Sequence, residues 1–183
     1  MIISKTPFRI SFFGGGTDHP EYYNKFGGNV IGTTIDKYCY ISARYLPQNF
    51  LHKHRISWSL NEDVHKVRDI KHPTAKAIIK YLKINKGLEI YHSADLPGQT
   101  GIGSSSSFCV GLLNSLNTLL KKNSLSKEKL SRLSIFLEQK IMKESVGSQD
   151  SVWASYGGFN KISFSKKSIK VSKLKISKKN INK

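Results

Sequence analysis

The spacing of apolar residues along the chain predicts three amphipathic helices. In three segments the apolar side chains recur every three or four residues, which places them along one face of an α-helix. The predicted helices cover residues 73–84, 105–121 and 126–144. Pro73 suits the first position of a helix and Ser126 is a good N-cap, so two of the three starts carry a signal of their own.

Short runs rich in apolar and aromatic residues, several of them alternating with polar residues, predict β-strands. The mixed order of strands and helices favours an α+β fold, in which a mixed sheet and its helices form two layers. GGGTDHP at residues 14–20 predicts a turn after the first strand. The predicted strands are 8–13, 37–46, 56–60, 88–94 and 157–164, followed by a further alternation of Ile169, Val171, Leu174 and Ile176.

Length and composition limit the class of protein. The 183 residues, of which 38% are apolar, suit one domain or one domain plus a piece of another. No stretch is long enough to span a membrane, and the N-terminus lacks the layout of a signal peptide. Cys39 and Cys109 lie far apart and form no CxxC pair. We therefore expect a reduced, cytoplasmic protein without a membrane partner or a cysteine metal site.

The net charge of +18 is distributed unevenly. Residues 165–183 hold eight lysines and no acidic residue, which leaves +10 for residues 1–164 (22 basic minus 12 acidic). Such an excess is compatible with a nucleic acid partner, with small anionic substrates or with a compositional bias. Because no RNA-binding aromatic motif accompanies the basic residues, we expect no nucleic acid partner. The oligomeric state is left open.

The segment LPGQTGIGSSSSFCV, residues 96–110, joins a glycine-rich loop to the start of a predicted helix. A helix N-terminus carries unpaired N–H groups and partial positive charge, and small residues let phosphate oxygens reach them. The spacing fits neither GxxxxGK[ST] nor a Rossmann GxGxxG. From the residues alone, a phosphate-binding loop and an ordinary serine-capped loop both stay open. The candidate phosphate-binding residues are Gly98, Gly101, Gly103, Ser104, Ser105, Ser106 and Ser107.

This loop resembles the PxxxGLGSSAA phosphate loop of the GHMP kinases, and the resemblance adds Pro97 to the set. PFR at 7–9, followed by GGGTD at 14–18, resembles the N-terminal sugar-site motif PGRVNLIGEHTDY of the same family. That alignment has no gap and matches Arg9 and Asp18 to its Arg and Asp.

A third motif agrees with the GHMP kinases in its order along the chain and in its spacing. GSQD at 147–150 resembles the segment that carries the catalytic Asp of the family, and Glu138 lies twelve residues upstream of Asp150. Together with YGGFN at 156–160, the triple glycine makes the chain most similar to the bacterial D-glycero-D-manno-heptose 7-phosphate kinases and the fucose kinases. The resemblance covers about residues 1–176.

The resemblance implies a GHMP-kinase N-terminal domain of ribosomal-protein-like fold, using ATP and Mg²⁺. The implied reaction is phosphorylation of a hydroxyl on a sugar or sugar phosphate, for surface polysaccharide precursors. Asp150 would accept the hydroxyl proton, with Arg9 beside it keeping it ionised. Glu138 and one serine, Ser105 or a neighbour, would bind magnesium. The implied substrate-binding residues are Arg9, Gly16, Thr17 and Asp18.

Ordinary structural roles stay open beside these functional ones. Asp150 also suits a helix cap, Asp18 a turn, and Glu138 the exposed face of an amphipathic helix. We expect a GHMP-kinase-like domain over 1–164 and the lysine-rich start of an interrupted second region over 165–183. The glycine-rich motif of the family's C-terminal half has no counterpart here, so we expect that half to be absent and this chain alone to be a poor kinase. The alternative function is a non-catalytic remnant or nucleotide-binding module with the same fold.

Overall fold

A seven-stranded mixed sheet is built around one long central strand, β2 (Gly28–Tyr45). The computed structural model describes residues 1–98 and 100–175 of the protein. Cys39 of β2 pairs with Thr6 on one side and with Ala94 on the other, so β2 lies between neighbouring strands. The other strands are β1 (Ile2–Phe13), β3 (His54–Ser57), β4 (Asn61–Val64), β5 (Leu88–Ala94), β6 (Phe159–Phe164) and β7 (Ile169–Lys173).

The strand order explains why the sheet is mixed. Along one path the order is β4-β3-β5-β2-β6-β7, and β1 pairs with β2 outside that path. β3 and β5 are parallel, and the other five strand pairs of the described structure are antiparallel. The predicted α+β fold with a mixed sheet is confirmed.

Two helices pack on this sheet, and two others pack on one of these helices. α3 and α5 pack on β1 and β2, while α2 and α4 pack against α3. The main core includes Phe8, Ile41 and Leu112, each fully buried, and Trp153 belongs to a second cluster. No helix in the described part of the chain is both long and apolar enough to span a membrane. The helices are α1 (Pro20–Phe26), α2 (Pro73–Tyr81), α3 (Ser104–Leu119), α4 (Lys127–Phe136) and α5 (Gln149–Tyr156).

The three predicted helices are confirmed, although each α-helix ends earlier than predicted. The third one does not run to residue 144 as an α-helix, because a π-helical turn, Leu137–Ile141, follows α4. The predicted strand at 56–60 is wrong in its bounds, since β3 ends at Ser57 and β4 begins at Asn61. The part of the last alternation that includes Ile176 lies outside the described residues.

Two helices carry no amphipathic signal in the sequence. α1 has only seven residues, and none of them is buried. α5 has eight residues, and five of them, three apolar and two polar, are buried on more than one face. A helix packed on several sides has no single apolar stripe, which is why the pattern did not predict it.

Gly111 lets α3 approach the sheet closely. A Cβ at this position would lie 2.8 Å from Thr6 Oγ1 and 3.1 Å from Ser4 Oγ. We expect Gly111→Ala to lower the free energy of unfolding by about 1 kcal/mol, because overpacking (about 1–3 kcal/mol) outweighs the roughly 1 kcal/mol gain in helix propensity. Urea denaturation measures this. Asn114→Ala, at an exposed position of the same helix, is the control, and equal stability of both variants would contradict a tight contact.

Candidate active site

The glycine-rich loop runs from β5 directly into α3. Gly101 and Gly103 have left-handed backbones (φ 72° and 77°), which glycine adopts without strain. Gly103 is the N-cap of α3, and in the described structure no side chain caps that end. The first N–H groups of this sixteen-residue helix are therefore left without intrahelical partners at the loop. A helix end of this kind binds phosphate oxygens well.

The serines that open α3 differ in their surroundings. Ser107 is buried, and its Oγ donates to the carbonyl of Pro7 over 2.9 Å, which ties α3 to β1. Ser106 is also buried, and its hydroxyl donates a hydrogen bond to the carboxylate of Glu138. Accessible members of the predicted phosphate site are Pro97, Gly98, Gly101, Gly103, Ser104 and Ser105.

Arg9 joins this loop to Asp150, a residue 141 positions further along the chain. Arg9 Nε donates to Asp150 Oδ1 over 2.8 Å, and Arg9 Nη2 donates to Asp150 Oδ2 over 2.9 Å. The guanidinium also donates to the carbonyl of Gly101, and the Arg9 backbone N–H donates to the carbonyl of Ile102 over 3.1 Å. A planar guanidinium suits such a two-bond pair with a carboxylate. Arg9 therefore fixes the loop and the carboxylate relative to each other.

The Asp150 carboxylate lies next to Gly103, at the N-terminus of α3. A Cβ on Gly103 would be 3.2 Å from Asp150 Oδ2, so only a glycine leaves this space free. Burial raises the pKa of Asp150 above its ordinary value, and the charge of Asp18 adds to the rise. Arg9 lowers the pKa of Asp150 but does not outweigh burial. Such a carboxylate is a stronger base than an exposed aspartate.

Glu138 lies inside the protein, because the π-helical turn carries it under α3 and α5. Its side chain is only 1% exposed, which excludes the exposed helical face as its position. Glu138 Oε1 accepts from Ser106 Oγ over 2.7 Å, and Oε2 accepts from Ser151 Oγ over 2.6 Å. Of the serines that open α3, the one that donates to Glu138 is thus Ser106, the neighbour of the exposed Ser105.

The chemistry of this cluster is that of oxygen donors. Burial raises the pKa of Glu138 to about 7, although its two serine hydrogen bonds oppose the rise. Among residues 1–98 and 100–175, no group of three or more His, Cys, Asp or Glu side chains could hold a metal ion. A hard cation here would depend on Glu138, a serine hydroxyl and oxygens from a bound ligand.

The turn after β1 was predicted to contact a sugar, and the structure gives its side chains internal partners. Thr17 Oγ1 donates to the carbonyl of Gly14 over 2.8 Å. The Asp18 side chain is 1% exposed and accepts from the backbone N–H of Gly16 over 3.1 Å. Asp18 also accepts from the backbone N–H of Gln149 over 3.0 Å. Sugar binding by these side chains stays a prediction, and Asp18 has little surface left for it.

An open cleft of about 300 Å³ lies between this turn and the start of α5. Its walls combine the Arg9–Asp150 pair with backbone and small side chains, so it suits a small polar ligand. Asp150 borders the cleft and also lies against Gly103 at the helix end. The lining residues are Arg9, Gly16, Asp18, His19, Ser145, Val146, Gly147, Gln149 and Asp150.

Sequence reasoning missed three residues that hold this site together. Ser151 binds Glu138, and Gln149 Oε1 accepts from Ser11 Oγ over 2.9 Å. Gly147 was named only as the first residue of the GSQD motif, yet its missing side chain makes room for Asp18. In the sequence, the available signal for these residues was the run of small and polar residues next to the predicted catalytic Asp150.

Glu138 predicts a pH-dependent stability. The unfolded carboxyl has a pKa near 4.5 and the folded one near 7, so stability is highest below pH 4.5 and falls as the pH rises through 7. Above pH 7 the cost is about 3 kcal/mol, from 1.36 kcal/mol per pKa unit. We expect Glu138→Gln to be more stable than the parent at pH 8 and equal to it near pH 4. Denaturation with EDTA at both pH values measures this; equal stability at pH 8 would contradict it.

Part of the chain matches the model of a known protein family. Residues 70–158 match the family model described as "GHMP kinases N terminal domain". Over these residues the chain is similar to the N-terminal domain of the GHMP kinases, which confirms the resemblance found in the motifs.

Two proteins that are similar to this chain are named as kinases of heptose phosphates. The chain is 26% identical over 173 residues to a D-glycero-alpha-D-manno-heptose 7-phosphate kinase of Campylobacter jejuni subsp. jejuni, covering 89% of this chain and 50% of that protein. The crystal structure of a D-glycero-D-manno-heptose 1-phosphate kinase from Bacteroides thetaiotaomicron superposes with a TM-score of 0.87 at 25% identity. That match covers all of this chain and 62% of the other.

A more distant match supports the fold alone. Galactokinase of Lactococcus lactis, solved with galactose, has a TM-score of 0.72 at 21% identity, covering 96% of this chain and 47% of that one. The chain spans about half the length of the curated heptose kinase that it matches.

Proposed function

We propose that this chain supplies the ATP- and sugar-binding part of a GHMP-type kinase, which phosphorylates a hydroxyl group of a sugar or sugar phosphate. The observation that carries the proposal is the position of the Arg9–Asp150 pair. This pair borders the polar cleft on one side and lies against Gly103 at the N-terminus of α3 on the other. A phosphate at the helix end and a hydroxyl in the cleft would both be next to Asp150.

The proposed chemistry follows from that arrangement. The Asp150 carboxylate accepts the proton of the sugar hydroxyl while the hydroxyl oxygen attacks the γ-phosphorus of ATP. The bond from the γ-phosphorus to its bridging oxygen breaks, and ADP leaves with the electron pair. Backbone N–H groups at Gly103 and Ser104 bind phosphate oxygens, and Arg9 keeps the loop at a constant distance from the base.

Glu138 and Ser106 would hold a magnesium ion. Both residues offer oxygen atoms, and a buried carboxylate whose pKa is raised to about 7 gains from a nearby cation. When bound, magnesium neutralises phosphate charge. Ser105, the serine first implied for this role, is exposed one residue earlier and suits a phosphate contact.

The substrate class follows the names of the relatives. Two of the proteins above are named as heptose phosphate kinases, so we propose a heptose 7-phosphate or a similar sugar phosphate as the acceptor. The product would be a precursor of surface polysaccharide. Because ATP is the proposed donor, we place the reaction in the cytoplasm.

Nucleotide binding and turnover are tested separately. Calorimetry of the 183-residue chain with ATP and Mg²⁺ measures binding. ADP release with a panel of sugars and sugar phosphates measures turnover, both for the chain and for its fusion to the second half of the Campylobacter jejuni relative. We expect ATP binding by both proteins and turnover on a heptose phosphate by the fusion. Absence of ATP binding in both would overturn the proposal, and ATP binding without turnover in either would favour a nucleotide-binding module.

A further inference from the structure

Within residues 1–98 and 100–175, the hydrogen-bond partners of the buried Asp18 carboxylate beside the cleft are backbone N–H groups and one side-chain amide. Asp18 Oδ1 accepts from the backbone N–H of Gly16 over 3.1 Å and from Gln149 Nε2 over 3.4 Å. Asp18 Oδ2 accepts from the backbone N–H of Gln149 over 3.0 Å. The Asp18 backbone carbonyl also accepts from the N–H of Ser148 over 2.9 Å. These four hydrogen bonds thus come from the turn itself and from the start of α5.

Gly147 makes this contact sterically possible. A Cβ on Gly147 would lie only 2.0 Å from Asp18 Oδ2 and 2.7 Å from its Cγ. Any other residue at this position would push the carboxylate away from the first turn of α5. The fit is therefore specific to one glycine and one short acidic side chain.

The partners of Asp18 belong to the segment that carries the proposed base. Gln149 immediately precedes Asp150, and its side chain also binds Ser11 of β1 over 2.9 Å. Arg9, on the same strand, holds the Asp150 carboxylate. The start of α5 is thus attached to β1 through Arg9 and Ser11 and to the following turn through Asp18.

We propose that Asp18 is a positioning residue, whose buried carboxylate fixes the first turn of α5 and thereby holds Asp150 between the cleft and the phosphate loop. Its catalytic consequence rests on the proposed kinase function. The role differs from the sugar contact that the family resemblance implies, because the carboxylate is 1% exposed and its oxygens already accept three N–H groups. A negative charge at a helix N-terminus also interacts favourably with the helix dipole.

The charge of Asp18 has a second, measurable effect. Asp150 faces Arg9 from β1, Asp18 from the turn and Glu138 from the π-helical turn, and His19 lines the same cleft. Since the charge of Asp18 raises the pKa of Asp150, removing it should lower that pKa. Carbon-13 titration of Asp150 in Asp18→Asn measures this change.

The decisive test is amide exchange of the 183-residue chain without sugar or nucleotide. In Asp18→Asn one acceptor oxygen becomes a donor, so we expect exchange at Gly16 or Gln149 to accelerate about tenfold or more, the scale of one lost hydrogen bond. Gly147→Ala should accelerate the same amides with Asp18 still present. Asp69→Asn, which removes one exposed carboxylate from a 3-10 turn, is the matched control and should leave them unchanged.

Turnover and titration separate the positioning role from a sugar contact. A positioning role predicts that Asp18→Asn, made in the fusion, lowers kcat about tenfold to 100-fold with little change in the sugar KM. A raised KM with unchanged amide exchange would overturn it in favour of the sugar contact. Absence of turnover in the fusion without substitutions counts against the kinase function, while unchanged exchange at Gly16 and Gln149 counts against the role of Asp18 alone.

Discussion

Asp150→Asn is expected to lower turnover about 100-fold or more, the usual contribution of a general base. Asparagine keeps the shape of the side chain and still accepts a hydrogen bond from Arg9, but it does not take up the hydroxyl proton. Steady-state ADP release with saturating ATP, Mg²⁺ and the preferred sugar phosphate measures the effect, in the chain or in the fusion. Calorimetry should show nearly unchanged ATP binding, because the helix end and the loop stay in place.

The chain offers a matched control for this substitution. Asp63 forms the same kind of two-bond pair with Arg55, over 2.8 and 2.9 Å, on the β3–β4 hairpin. Asp63→Asn should therefore reproduce the weakening of a two-bond arginine pair without the loss of turnover. Near-normal turnover of Asp150→Asn would assign Asp150 a structural role.

The pH dependence of turnover tests the same residue. A base works in its ionised form, and burial raises the pKa of Asp150. As the pH falls, turnover should therefore start to decline at a higher pH than an exposed aspartate would give. A plot of log(kcat/KM) against pH for the fusion without substitutions measures this decline. Activity that persists down to the ordinary range of an exposed carboxyl would contradict the assignment.

Gly103→Val is expected to weaken ATP binding about tenfold or more. A β-branched side chain at φ 77° is strained, at a cost of order 1–3 kcal/mol. Its Cβ would also lie 3.2 Å from Asp150 Oδ2 and 3.4 Å from Arg9 Cγ. The helix end would shift or lose its open N–H groups, and both consequences reduce phosphate binding. Calorimetry with a non-hydrolysable ATP analogue measures the affinity.

Gly158→Val separates this local effect from general backbone strain. Gly158 has a similar left-handed φ of 83°, yet a Cβ there would meet no atom within 4 Å. We expect comparable destabilisation in denaturation experiments but unchanged nucleotide affinity. If Gly103→Val and Gly158→Val bound the analogue equally well, the loop would not be the phosphate site.

Arg9 couples the two predictions. Because it donates to Asp150 and to the carbonyl of Gly101 at once, the proposed base and the phosphate loop do not move independently. Gly103→Val should therefore lower turnover in the fusion by more than its loss of ATP affinity explains. Small displacements of reacting groups are costly in phosphoryl transfer, which depends mainly on positioning.

Much of this protein was determined by local properties of the sequence. An amphipathic period is a property of neighbouring residues, so the helices near 73–84 and 105–121 were predictable before any packing was known. The need for glycine where phosphate approaches the backbone is equally local, which is why Gly103 stood out. The family motifs added Arg9 and Asp150 in register, and the structure brings these two side chains into contact.

Only the tertiary structure decided which oxygen atoms face which partner. Successive residues of a helix point about 100° apart, so the choice between Ser105 and Ser106 depended on which one the packing of α3 turned toward Glu138. The motif predicts a sugar contact for Asp18, whereas the fold brings this residue to Gln149, 131 residues away, and buries it. Such contacts join segments whose separation along the chain carries no periodic signal, because they arise when the core assembles rather than when a single element forms.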